Sequence, residues 1–172
     1  MKRELLADRK RLTPAQLESL EEFERIKSKD GFVQVLLDGI STLEKLKPAT
    51  LARLLYLSTH IQYKSGLLVN KKQAIPKGQL CLLLGISHTT ASEFIDEVIL
   101  AGILSVKADG CYISKEYIRY GNAGKKKLVR VYRSAYRSLY ENTPAAKHVY
   151  IGYILRLMPL VDTETNIICG KP

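Results

Sequence analysis

Long apolar runs, paired cysteines and phosphate-cradling loops are all missing from this sequence, and each absence removes a class of function. Its hydrophobic stretches are broken by polar or charged side chains, short of the about 18 consecutive apolar residues that a membrane helix needs. Charges run through Met1 to Thr13, so no apolar signal core follows the start. The expected location is the bacterial cytoplasm, nucleoid- or plasmid-associated, with no membrane partner. Cys81, Cys111 and Cys169 lie far apart, without a Cys-x-x-Cys or a histidine at ligand spacing, so buried reduced thiols are expected, with no metal and no other cofactor. His60, His88 and His148 fall in separate predicted helices, and no Gly-rich phosphate loop or Ser/Cys–His arrangement occurs. Neither an enzyme nor a small-molecule substrate is therefore expected.

Acidic charge is scarce too: 17 Asp and Glu stand against 27 Lys and Arg, a net charge of +10. An uncompensated positive surface gains free energy by displacing counterions from phosphates, which makes nucleic acid the favoured partner. What is present is otherwise ordinary. A chain of 172 residues with 46% hydrophobic and 26% charged side chains predicts one compact domain, or one with terminal additions.

Thr13-Pro14-Ala15-Gln16 reads as a cap followed by a first-turn proline, predicting a helix from Pro14 to about Lys27 with Leu17, Leu20 and Phe23 near one face. Phe32–Leu37 suits a short strand between two Asp-Gly pairs. Ile40–Leu46 reads as a brief helical turn, and Pro48 opens a helix expected to reach Tyr63. Leu67-Leu68-Val69 fits a small strand, followed by Lys71 and Lys72 in a loop.

The chain is organised around Ile75 to Glu116. Lys77–Leu84 predicts a helix with Leu80 and Leu84 inward, and Gly85 can take the left-handed conformation that ends it. In the turn Gly85-Ile86-Ser87, Ile86 plugs the core and Ser87 caps the next helix. In that helix Ala91, Phe94, Ile95 and Val98 recur at core spacing, and His88, Thr89, Ser92 and Glu93 take the opposite face. Short polar side chains near a helix N-terminus suit major-groove reading, so Ser87, His88, Thr89, Thr90, Ser92 and Glu93 are the candidate base-reading residues. A solvated face is the plain alternative.

After Gly102 comes a hairpin. Asp109-Gly110 suits a two-residue type I′ turn, which would pair Ala108 with Cys111, Lys107 with Tyr112, Val106 with Ile113 and Ser105 with Ser114. Leu104, Val106, Ala108, Cys111 and Ile113 would then share an apolar face. Lys107 and Tyr112, on the other, are candidate contacts to backbone phosphate, as is Lys77. The fold class expected is mainly α with a small β component: a winged helix-turn-helix core at 32–118, an N-terminal helical extension at 1–31, and a basic and helical extension at 119–172.

From Phe32 to about Tyr140 the sequence resembles the winged-helix family of plasmid and phage replication initiators and related phage regulators. The resemblance rests on FVQVLLDGI, the Leu-rich helix ending HIQYKSG, LLLGISHTTASEFIDEVILAGIL and GCYISKEYIRYGN. It implies a plasmid or phage replication initiator or transcription regulator; the turn, the wing and the basic segment make a sequence-specific double-stranded DNA-binding protein, as a homodimer on an inverted repeat, the leading expectation. Ala91 departs from the Val or Ile usual there, which implies closer packing of the helix pair. YIGYILRLMPLVDTETNIICGKP resembles the family segment that leads into a further domain.

Between Lys115 and Arg137 eight cations face Glu116 alone: Lys115, Arg119, Lys125, Lys126, Lys127, Arg130, Arg133 and Arg137. Tyr117, Tyr120, Tyr132 and Tyr136 are interleaved with them. Lys125, Lys126, Lys127, Arg130 and Arg133 are the candidate backbone contacts of this tract, with a bare solvated run as the alternative. Val129–Tyr132 fits strand or helix, with helix expected from about Ser134. Thr143-Pro144 repeats the cap-plus-proline signature, before a stripe of Tyr150, Ile151, Ile154, Leu155 and Met158 that serves a core or a dimer interface. A protein-interaction module that kept the fold without DNA binding is the competing reading.

Overall fold

The computed structural model describes residues 13–14, 31–121, 127–157 and 160. The chain forms two compact units, Met1–Gly31 and Phe32–Pro172. The expected helix from Pro14 to Lys27, and Lys125, Lys126 and Met158, lie outside the described residues. The second unit is mainly helical with a small sheet component.

Its frame is a buried helix and a three-stranded antiparallel sheet. Strand β1 (Phe32–Leu36) runs between β6 (Ile118–Arg119) and β7 (Leu128–Tyr132). As the central strand it is covered on both faces, and Val33, Gln34, Val35 and Leu36 are all buried. A 3-10 turn at Leu37–Gly39 leads into the short α1 (Ile40–Lys45). Helix α2 (Pro48–Ser58) starts on the expected proline and buries Thr50, Leu51, Ala52 and Leu54 through Ser58. A helix apolar on nearly every side has to be wrapped by others. Four do so: α3 (Leu80–Leu84), α4 (His88–Leu100), α5 (Arg133–Glu141) and α6 (His148–Leu155).

The prediction ran α2 on to Tyr63, but it stops at Thr59. Ser58 and Thr59 turn their hydroxyls back to the carbonyls of Leu55 and Tyr56, both at 2.7 Å, and Ile61 leaves to form a β-bridge with Leu68. Two small hairpins follow. Strands β2 (Val69–Asn70) and β3 (Gln73–Ala74) are joined by Lys71 and Lys72, both at positive φ. Strands β4 (Leu104–Lys107) and β5 (Gly110–Ile113) form the second, and Leu67 bridges to Tyr112 beside it.

The second hairpin corrects the expectation: its turn lies one residue earlier, so each strand residue meets a partner two residues from the one expected. Leu104 pairs with Ile113, Ser105 with Tyr112, Val106 with Cys111 and Lys107 with Gly110, so Ala108-Asp109 is the turn and both keep negative φ. Gly110 is needed for a close approach instead. At its φ of 145° an added Cβ would stand 3.1 Å from Leu67 Cδ1 and 3.2 Å from Ala74 Cβ. A shift of partners by two keeps the same residues on one face, of which Leu104, Cys111 and Ile113 are buried, whereas Val106 and Ala108, expected with them, are exposed toward the turn.

Residues beyond 118 close the same core. Strand β7 pairs with β1 over its whole length, and α6 meets α2 so closely that a Cβ on Gly152 would overlap the carbonyl oxygen of Pro48. The boundary expected at 118 therefore does not separate a domain from an extension. Thr143 does not cap α6 as its sequence signature implied. Its hydroxyl donates back to Leu139 O at 2.7 Å, and a 3-10 turn at Ala145–Lys147 opens the helix. Among the described residues, no helix is long and apolar enough to cross a membrane.

Candidate nucleic-acid interface

Helices α3 and α4 are set by the turn between them. Gly85 takes φ 63°, the left-handed conformation that only glycine adopts cheaply, and Ile86 packs against the core. Ser87 then caps α4 by accepting the Thr90 amide at 3.2 Å, and its hydroxyl donates to Thr90 Oγ1 at 2.9 Å. These two candidate base readers are thus engaged in holding the helix start. The Ser87 oxygen is occupied by the amide it caps, and Thr90 Oγ1 accepts from the Ser87 hydroxyl.

Ala91, Phe94, Ile95 and Val98 are buried, which turns His88, Thr89, Ser92 and Glu93 outward, all exposed. Asp96 joins them one turn on, a residue the sequence reading left out. His88 Nε2 lies 3.8 Å from Cys81 Sγ, so the histidine ring leans toward α3. Helix α3 is fixed from behind, where Tyr140 of α5 donates its hydroxyl to Leu84 O at 3.0 Å.

The β4–β5 hairpin carries its expected polar pair in an internally engaged state. Tyr112 donates its hydroxyl to Asp109 at 2.5 Å, and Lys107 Nζ stands 4.6 Å from the centre of the Tyr112 ring. That hydrogen bond, with a smaller part from desolvation and the Asp109 charge, raises the Tyr112 hydroxyl above the usual tyrosine range. Lys107 is the exposed cation of this hairpin, and Lys77 is exposed at the start of a 3-10 turn, Lys77–Gln79, leading into α3.

Lys71 and Lys72 are a further pair of cations in the same part of the chain. Gly110, at the hairpin tip, lies against Ala74 of β3, so the Lys71-Lys72 turn and the Lys107 turn belong to adjacent hairpins. Both lysines hold left-handed backbone, at φ 47° and 70°, a conformation that costs of order 1–3 kcal/mol in a non-glycine residue. The sequence placed them in a loop, and two lysines give no signal for a type I′-like turn.

Among the described residues the basic tract does not form one strip. Arg133 Nε donates to Thr59 O at 2.6 Å, and Arg137 donates to the same oxygen at 2.6 Å and to Thr59 Oγ1 at 2.8 Å. The last carbonyls of a helix lack intrahelical partners and carry the negative end of its dipole, so two guanidinium groups satisfy the end of α2. Arg133, expected on the DNA backbone, is half-buried and tied through Nε to the end of α2. Tyr136 is also engaged, its buried hydroxyl donating to Ala52 O at 2.9 Å. Lys127 and Arg130 remain exposed, with Arg130 5.0 Å from the centre of the Phe32 ring.

Burial shapes the histidines. Desolvation, reinforced by Arg137 and Arg133 and opposed by a backbone hydrogen bond to Val69, depresses His60 to about 4. Desolvation also lowers His148, which stacks 3.9 Å from Tyr140. Among the described residues no group of three or more His, Cys, Asp or Glu side chains is placed to hold a metal ion. Comparison with protein-family models, with curated proteins and with solved structures finds no match for this chain.

Proposed function

We propose that this chain is a sequence-specific double-stranded DNA-binding protein of the winged helix-turn-helix type, serving a plasmid or phage as a replication initiator or transcription regulator. The observation that carries the reading is the exposed face of α4. A left-handed glycine, a packed Ile86 and a Ser87 cap deliver His88, Thr89, Ser92 and Glu93 outward from a helix whose other side is core. A helix held this way enters the major groove, where hydroxyls, amides and carboxylates distinguish base edges. Lys71, Lys72, Lys77 and Lys107, on neighbouring turns, then serve backbone phosphates, and the β4–β5 hairpin acts as the wing. The exposed Tyr150, Tyr153 and Ile154 of α6, together with Leu157 just beyond it, fit the interface of a symmetric dimer on an inverted repeat.

Selection from a randomised duplex library, followed by fluorescence anisotropy across a salt series, tests the reading. A recovered consensus and a log–log salt slope that falls by about 1 for each lysine removed support it. Failure to retain any duplex at low salt overturns it. A protein-interaction module is the second reading. It is favoured by the two carboxylates Glu93 and Asp96 on the same face of α4 and by Leu82 and Leu100, 83% and 91% exposed, at the edges of the helix pair.

A further inference from the structure

Between the turn after α2 and the segment through β6 is a cleft of about 180 Å³ whose lining includes Lys64, Gly66, Lys115, Arg119, Tyr120 and Gly121. Three of these are cations, and none of the described lining residues is a carboxylate. They come from two separate stretches of chain, the turn after α2 and the segment through β6, which the fold brings together. Lys64 is fixed by its backbone: its amide donates to Tyr120 O at 2.9 Å while φ stands at 62°. Arg119 is fixed through its side chain, since Nε donates to the Lys115 carbonyl, which leaves the terminal nitrogens of the guanidinium for another acceptor. The Lys115 stem passes over Gly66, whose carbonyl in turn accepts the Ile113 amide at 2.9 Å. One wall is aromatic, with Tyr120 set edge-to-face against Tyr63 at 5.4 Å and Arg133 4.5 Å from the Tyr120 ring.

We infer that this cleft is a phosphate-binding site, in which Lys64, Lys115 and Arg119 converge on one phosphate group and Tyr120 forms the wall beside it. Like charges gathered without a counter-charge repel one another, and a tetrahedral phosphate oxyanion reduces that repulsion while accepting from the donors. The volume is below the roughly 300–1,000 Å³ of sites that enclose drug-sized ligands, so the cleft takes the phosphate group and leaves whatever carries it outside. The site stands apart from α4 in its residues, and it does not depend on the DNA reading. Its left-handed lysine is the telling feature. Glycine would relieve that backbone, and lysine there is a structural cost with a charge as its return.

The test is a titration of the full-length ¹⁵N-labelled protein with inorganic phosphate at constant ionic strength, matched against sodium chloride. Saturable amide shifts are expected at Lys64 to Gly66 and at Lys115 to Gly121. Lys115→Ala and Arg119→Gln should each weaken them about tenfold, the loss of one charge-assisted hydrogen bond. Lys64→Gly is the variant that guards against a folding artefact. It should raise or preserve the melting temperature and still weaken phosphate about tenfold. Linear, unsaturable shifts, or shifts of equal size at Lys71, Lys72 and Lys107, overturn the proposal, as does undiminished binding in Lys64→Gly. Two further arms identify the carrier. Displacement of phosphate from these amides by duplex DNA makes the group part of a nucleic-acid backbone, whereas tighter binding of glycerol phosphate with no effect of duplex makes it part of a small molecule. Either result upholds the site, and failure of duplex to bind anywhere refutes the DNA reading while the phosphate titration stands.

Discussion

Glu97, in the last turn of α4, clasps Thr50 at the start of α2: the threonine hydroxyl donates to one carboxylate oxygen at 2.7 Å, and the Lys47 amide donates to the other at 2.7 Å. A helix N-terminus offers unpaired amides and a positive dipole end, and here a carboxylate borrowed from the neighbouring helix answers both. The proposed reading helix is thereby tied to the central helix of the core. Glu97→Ala should cost about 1.5–3 kcal/mol in urea unfolding, the range for hydrogen bonds to a charged group. Thr50→Val should cost less, and a double-mutant cycle should show coupling between the two. Additive losses would mean that the contact contributes nothing.

Gly152 and Pro48 mark where α6 and α2 touch backbone to backbone. Gly152→Ala gains helix propensity yet forces the helices apart. The expected outcome is a net loss at or beyond the about 1–3 kcal/mol typical of overpacking. Thermal melts of this variant beside Gly78→Ala, where an added Cβ meets nothing within 4 Å, distinguish close packing from a general intolerance of alanine.

Stability should rise with pH between about 4 and 6.5, because His60 is depressed to about 4 in the folded state and the unfolded chain binds its proton first in that window. Above pH 6.5 the histidine is neutral in both states and contributes no slope. The full effect is of order 2 kcal/mol after allowing for solvent screening of the nearby arginines. His148, lowered as well, adds to the same trend. Urea midpoints at several pH values should show a shallower slope in His60→Leu than in the parent protein.

The arginines and lysines should separate by what they affect. Arg137→Met removes two donors to Thr59, so it should destabilise the fold by about 1–3 kcal/mol with duplex affinity little changed. Lys71→Ala, Lys72→Ala and Lys107→Ala should leave the melting temperature nearly unchanged and each reduce the salt slope of binding by about 1. Thr89→Ala and Ser92→Ala should instead narrow the difference between cognate and random duplex. A Lys71 variant with parental salt dependence would remove that hairpin from the interface.

What the sequence determined by itself was local. Hydrophobic spacing of three and four fixed which side of α4 is core, Pro48 fixed where α2 begins, and Gly85 with Ser87 fixed the turn between α3 and α4, because each depends on backbone preferences within a few residues. Alternation likewise gave the apolar face of the β4–β5 hairpin, whereas its register depended on Gly110 meeting Leu67 and Ala74, contacts from a distant stretch. Tertiary structure alone decided the fate of the charges. Lys115, Arg119, Arg133 and Arg137 read as one basic run, yet Arg133 and Arg137 turn to the end of α2 while Lys115 and Arg119 meet Lys64 across a cleft. The difference arises because a long cationic side chain goes to whichever unpaired oxygen or open space the fold sets beside it, and for Arg133 and Arg137 that oxygen belongs to Thr59, 74 and 78 residues away in the chain.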